Sequence, residues 1–333
     1  MRGSPPHIAP ETDPGLMNPQ LRQLAARQGG VFSSRQAAST GYSHEEIRAR
    51  LVDGRWERLR HGQYAERVSL EGVPVWEREI RRHRMLVHAA VNSMKPLSAV
   101  VSHHSALVLH GAPVWQAELQ EVQLTRTTGR SGESAGVRHH RGLLDDSDVT
   151  RLDGVLTTSI VRAMAEYATR SSFEAAVVSA DAALRQGGVS DVELHRVLTA
   201  AENWAGAPKV RAVLAFASPL AESVGESRLR VLMRNHGLPD PELQISFADA
   251  EGLIGRVDFF FRSEATVVEF DGALKYTDDS QDALFKEKIR EDRLRAMGLQ
   301  VVRIRWADLD RDIWTAHSIR QAFARSSDSR IAG

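Results

Sequence analysis

The stretch "GRVDFFFRSEATVVEFDG", residues 255–272, decides the reading of this 333-residue chain. Two apolar runs flank Ser263 and Glu264, and a two-residue turn there predicts a hairpin in which Asp258 lies directly opposite Glu269. Opposed β-carbons stand roughly 4.5–5.5 Å apart. Asp271 shares the face of Glu269 because side chains alternate with period two, while Phe259, Phe261, Val268 and Phe270 point the other way. Unpaired charge buried among apolar strands costs several kcal/mol, and a divalent cation removes that cost. Asp258, Glu269 and Asp271 are therefore candidate ligands of Mg2+ or Mn2+, hard ions that take oxygen donors. Such an ion polarises a phosphate oxygen, generates hydroxide from bound water and stabilises a leaving oxygen. Lys275, four residues after Asp271, is placed to orient the water or to stabilise transition-state charge.

Working outward, "SVGESRLRVLMRNHGLPDPELQISF" reads as a helix from Ser223 to about Asn235, ended by Gly237, and then a strand near Gln244. Glu226 stands three residues after Ser223, the spacing of a capping box. Downstream, Ala283 to Arg305 carries seven Lys or Arg against three acids, a segregation suited to phosphate contacts or to a solvated helix face.

At the other end, "PQLRQLAARQGG", "SSRQAASTG" and a segment opening at Ser43 with Glu46 in capping position read as three short helices closed by Gly30, Gly41 and Gly54. "RWERLRHGQYA" turns at His61 and Gly62 between alternating apolar and basic residues, the pattern of a small hairpin. Three helices and a hairpin predict a winged helix, with Arg48, Arg50, Arg55, Arg58 and Arg60 near DNA. The proline-rich residues 1–16 predict a disordered lead-in, with Met17 a candidate start. From 71 to 215 the spacing is mostly helical, interrupted by short strands: "EVQLTR" alternates, and "VRHHRGL" is placed to pair back with it. The doublets His103–His104 and His139–His140 read as structural, because adjacent residues do not face one another.

The fold expected is therefore α+β and multidomain: lead-in 1–16, winged helix 17–70, helical or mixed connector 71–215, and a 216–333 unit with a mixed sheet. No apolar run approaches the roughly 18 residues of a membrane span. With no cysteine there is neither a disulfide framework nor a thiolate site, and a cytoplasmic location is expected.

Residues 21–65 resemble the N-terminal winged helix of AbiEi-type antitoxins from abortive-infection systems. "GESRLRVLMRNHGLP", "RVDFFF", "VVEFDGALKY" and "REDRLRAMGLQVVRIRWADL" resemble the very-short-patch-repair-like branch of the PD-(D/E)xK nuclease superfamily. The second resemblance implies a restriction-endonuclease-like core, with Glu226 as the helix-borne acid, Asp258 and Glu269 as metal ligands, and "KIREDRLRAMG" as a basic helix packed on the sheet. Where the superfamily has lysine two residues after the second acid, this chain has Asp271, and the cysteine-bound zinc of the repair enzymes has no counterpart. Two functions follow as expectations. One is a Mg2+-dependent DNA endonuclease in phage defence or a toxin–antitoxin system, with DNA and a toxin or defence protein as partners. The other is a DNA-binding regulator or antitoxin whose nuclease-like domain is inactive. Oligomeric state is left open.

Overall fold

The computed structural model describes residues 17–95, 99–272 and 280–331; the lead-in 1–16 and Lys275 lie outside these. The chain divides into two units, Met1–Gly111 with Glu118–Ala163, and Ala112–Ala117 with Met164–Gly333.

The first unit opens with α1 (Pro19–Ala26), β1 (Val31–Ser33), α2 (Ser34–Ser39), α3 (His44–Val52), β2 (Trp56–Arg60) and β3 (Gln63–Glu66). Side chains written in the sequence set the helix starts. Asn18 accepts from the Gln20 amide, and Ser33 with Gln36 and Ser43 with Glu46 form reciprocal caps. Gly62, at φ 68°, permits the tight β2–β3 turn. The sheet order is β1-β3-β2, and β1, absent from the sequence reading, closes it. Trp56, Phe32, Tyr42, Leu21 and Ile47 form the core, with Phe32 and Trp56 edge to face at 4.6 Å.

The same unit continues with α4 (Val75–Asn92), β4 (Val100–Val101), α5 (His103–Leu109), β5 (Val122–Arg126), β6 (Gly132–Ser134), β7 (Val137–Arg141), β8 (Val149–Leu152) and β9 (Val155–Thr158). These strands make a six-stranded sheet in the order β6-β7-β5-β4-β9-β8, so the short strands expected to interrupt the mostly helical stretch 71–215 join in one sheet. The strands run two to five residues, too short for alternation to register in sequence. β7 does meet β5, as expected, but the two run parallel with Leu124 beside His139.

The second unit resumes at Met164, within α6 (Ile160–Arg170), and adds α7 (Phe173–Arg185), α8 (Asp191–Ala201), α9 (Ala207–Phe216) and α10 (Val224–Asn235). It then alternates: β10 (Glu242–Asp249), β11 (Gly252–Phe261), β12 (Thr266–Asp271), α11 (Ser280–Ala296), β13 (Gln300–Arg305), α12 (Trp306–Leu309) and α13 (Asp312–Ile331). The sheet order is β10-β11-β12-β13, antiparallel except for the parallel β12–β13 pair. Its two faces bury separate cores. Phe259, Phe261, Val268 and Ile304 pack with Leu229 of α10 and Ile319 of α13; Val257, Phe260 and Val267 pack with Leu294 of α11. Phe270 comes so close to α10 that a β-carbon on Gly225 would meet its ring at 2.0 Å.

Candidate functional site

The β11–β12 register is the one the sequence predicts. Phe259 opposes Val268 and Phe261 opposes Thr266, the same offset that sets Asp258 against Glu269. The four apolar residues expected on one face share one core. What the sequence missed is a kink in the neighbouring strand. Gln244 on β10 sits at φ 56°, a conformation rare for a residue with a β-carbon. It reverses the alternation, so that Leu243 and Phe259 serve one core while Ile245 and Val257 serve the other. Asp258 lies at this reversal, and its carboxylate accepts from the Phe270 amide at 2.8 Å. The β11–β12 pairing ends at Phe259, so the side chain replaces a ladder bond there.

The expectation that Asp258, Glu269 and Asp271 converge on one patch is corrected by their partners. Asp258 turns toward Gln244, whose amide nitrogen stands 3.5 Å from it and 3.0 Å from Glu226. Glu226 also accepts from the Glu222 amide at 2.9 Å and from the Ser223 hydroxyl at 2.7 Å, so it makes the cap-type contacts its spacing implied. Glu269 instead faces α11, where Arg290 donates to it at 2.5 Å, and Arg303 of β13 stands 3.9 Å away. Asp271 lies 3.9 Å from Arg305. Among the described residues, no three or more His, Asp or Glu side chains are grouped so as to hold a metal ion.

Electrostatics separates these acids into two kinds. Burial raises the pKa of Glu226, and the neighbouring Asp258 and Glu222 charges add to this, against the hydrogen bonds that favour its ionised form. Burial likewise raises Asp258, opposed by the Phe270 amide, Gln244 and the charge of Arg290. Burial works against the charge of Arg290, yet the carboxylates of Glu269 and Glu287 hold its pKa above the ordinary value. One pair is thus satisfied by neutral donors, and Glu269 by a cation.

The basic run from 283 to 305 serves the fold itself. Arg293 binds Asp249, Arg295 binds Glu291, and Arg303 binds Glu287 and Glu291 at 2.5 and 3.0 Å. With Arg290 and Arg305, each arginine of this run meets a carboxylate, while Lys286 and Lys288 are exposed.

The five N-terminal arginines also divide. Arg48, Arg55 and Arg58 are exposed, although Arg55 is joined to Asp53. Arg50 lies over the rings of Tyr42 and Trp56, at 5.0 and 5.5 Å from their centroids, and so contributes to packing. Arg60 is half-buried, and burial lowers its pKa; it does not stand on the outer face with the others. The histidine doublets meet across elements rather than along them: His103 stacks on His140 at 3.8 Å, and His83 lies 5.2 Å from His104 while contacting Ser105 at 2.9 Å.

Comparison with known proteins bears on the first of these regions. Residues 19–67 match the family described as transcriptional regulator, AbiEi antitoxin. The N-terminal segment is thus an antitoxin-type regulator domain, which supports a DNA-binding or regulatory role. Over 162 residues the chain is 29% identical to two uncharacterized proteins of Mycobacterium tuberculosis, Rv2248 and MT2308. That similarity covers 49% of this chain and 59% of each relative, so the match spans somewhat over half of their length. No helix among the described residues is long and apolar enough to cross a membrane.

Proposed function

We propose that the protein is a cytoplasmic DNA-binding regulator of the antitoxin type, acting beside a toxin or phage-defence partner, with Glu269 of its second unit neutralised by Arg290. The match of residues 19–67 to the AbiEi regulators carries the reading, and the geometry supports it. The three helices and the β2–β3 hairpin form a winged-helix arrangement, in which α3 and the hairpin present Arg48, Arg55 and Arg58 to solvent. Such contacts position the backbone and read no bases, so binding falls steeply with salt. Anisotropy of a labelled duplex titrated with the full chain tests this: Arg48→Gln and Arg58→Gln should each reduce the slope of log K against log salt by about 1. Full-affinity binding by the double variant would refute it.

A second reading is a Mg2+- or Mn2+-dependent DNA endonuclease, with an αβα core of the restriction-endonuclease type. The observation favouring it is the buried Glu226–Asp258 pair, adjacent acids bridged by a neutral amide with like charge between them. All-carboxylate oxygen donors suit a hard cation, so the chemistry of the set fits the ion. Asp258 and Glu269 would hold it, with Asp271 and Glu226 alongside, once Arg290 had left Glu269 and Asp258 had turned from Gln244. When bound, the ion supplies Lewis-acid stabilisation of a phosphodiester. The chain itself orients Asp258 through the Phe270 amide and positions Glu226 through Ser223. Lys275 would contribute its ammonium. Plasmid nicking with Mg2+ or Mn2+, abolished by Asp258→Ala and by Glu269→Ala, would establish this reading. Manganese binding by paramagnetic resonance gives a second readout: Arg290→Gln should strengthen it under the nuclease reading and change nothing under the regulator reading.

A further inference from the structure

Seven side-chain atoms among the described residues are shut off from solvent without a hydrogen-bond partner, and six of them lie in the first unit. They are Arg60 Nη1, Gln63 Oε1, Asn92 Nδ2, Thr125 Oγ1, Arg126 Nε and His139 Nδ1. Native interiors leave few such atoms, so six in one unit calls for a cause.

The fold brings their elements together. β2 and β3, which carry Arg60 and Gln63, pack on α4, and α4 packs on β5. Asn92 ends α4, and two residues on, the Met94 sulfur receives the other end of Arg126 at 3.8 Å. β5 runs beside β7, with Leu124 next to His139. Burial lowers the pKa of His139, and the charges of Arg126 and Arg60 both lower it further, so the three basic groups share one field. Among the described residues neither guanidinium has a carboxylate partner, unlike the arginines of the second unit. Gln63 and Thr125 are 5% and 2% exposed.

Buried water satisfies orphan neutral groups. It does not offset two guanidinium charges facing one imidazole. An anion accepts from the orphan donors and offsets the charge, and the planar guanidinium fork matches the oxygens of a phosphate. We infer that the first unit contains a binding site for a phosphate group, formed by Arg60, Arg126 and His139 and completed by the Asn92 amide N–H and the Thr125 hydroxyl as donors. The source is a free small molecule, inorganic phosphate or a phosphomonoester. A duplex backbone lies on a surface, whereas these atoms have no solvent access.

The test is thermal unfolding and calorimetric titration of the full chain with inorganic phosphate, against chloride at matched ionic strength. The expected result is a saturable rise in melting temperature. Arg126→Met should weaken phosphate binding roughly tenfold or more, since a hydrogen bond to a charged group is lost. Without phosphate the same variant should melt no lower than the parent, because it removes an unpaired buried charge; this separates loss of ligand from loss of fold. His139→Gln serves as the second variant and should also weaken phosphate binding. Equal melting in phosphate and chloride would overturn the inference, as would an unchanged phosphate response in Arg126→Met. Repeating the titration with saturating duplex distinguishes the sources: binding that persists supports the free anion, and competitive loss shows that a backbone phosphate occupies the site instead.

Discussion

Gly225 is the position where one methyl group tests the packing beneath the acidic centre. It lies in the first turn of α10, one residue before Glu226, and an added β-carbon would stand 2.0 and 2.1 Å from Phe270 Cε1 and Cζ. The ring has little room to retreat, since its other side meets Trp306 edge to face at 5.2 Å. Two effects oppose one another in Gly225→Ala. Helix propensity favours alanine by about 1 kcal/mol, and overpacking typically costs about 1–3 kcal/mol. The net expectation is a loss of about 0–2 kcal/mol, which a single measurement would not separate from zero. A double-mutant cycle with Phe270→Ala does so. Without the ring, Gly225→Ala should stabilise by about 1 kcal/mol, so the coupling between the sites should reach about 1–3 kcal/mol. Urea unfolding followed by tryptophan fluorescence supplies the four midpoints, with Trp306 beside the substituted ring. An effect of Gly225→Ala that is the same in both backgrounds would refute the contact.

The acids should respond in opposite directions: Asp258→Asn should leave stability unchanged or raise it, because burial already disfavours this charge, whereas Glu269→Gln should lower it by about 1–3 kcal/mol by leaving Arg290 unpaired. Parallel urea titrations check this, and equal losses would contradict the division drawn between them. For pH, burial pushes His83 and His104 each down to about 4 from 6.5 in the first unit. Because the unfolded chain takes up these protons first, their contribution is fully present above pH 6.5 and is lost as pH falls toward about 4. The slope should be about 1.4 kcal/mol per pH unit for each, less where the two interact, and a flat urea midpoint from pH 7 to 5 would disprove it. Ser43→Ala removes one half of the α3 cap, and a loss of about 1 kcal/mol is expected by thermal melting.

Much of this was legible because it depends on local rules. Serine caps, closing glycines and the alternation of "VDFFF" against "TVVEF" fix helix starts and hairpin register without long-range information. The site was less legible because one backbone angle intervenes. Glutamine carries no signal for the left-handed region, yet Gln244 adopts it, and the reversal turns Asp258 from the face of Glu269 toward Glu226. Arg290 was visible only as one charge in a basic helix; its partner depends on which face of the sheet α11 covers. Arg60 was misplaced for a related reason. Sequence counts arginines along a hairpin but does not show which of them α4 and β5 cover.

Arg290 sits where the two functional readings diverge. Its bond to Glu269 neutralises the acid that a metal would need, and this favours a domain that binds or scaffolds without cutting. The same guanidinium also meets Glu287 at 2.9 Å, so release of Glu269 would not leave it unpaired. Arg303, which spans Glu287, Glu291 and Glu269, ties that alternative partner to the sheet. Release of Glu269 by the arginine is therefore a local change of partners within one ion-pair network. Asp258, held by neutral donors, would in addition have to turn from Gln244 to share an ion with Glu269. The energetic difference between a neutralised centre and a metal-binding one thus falls on the Arg290–Glu269 bond and on the Gln244 contact of Asp258.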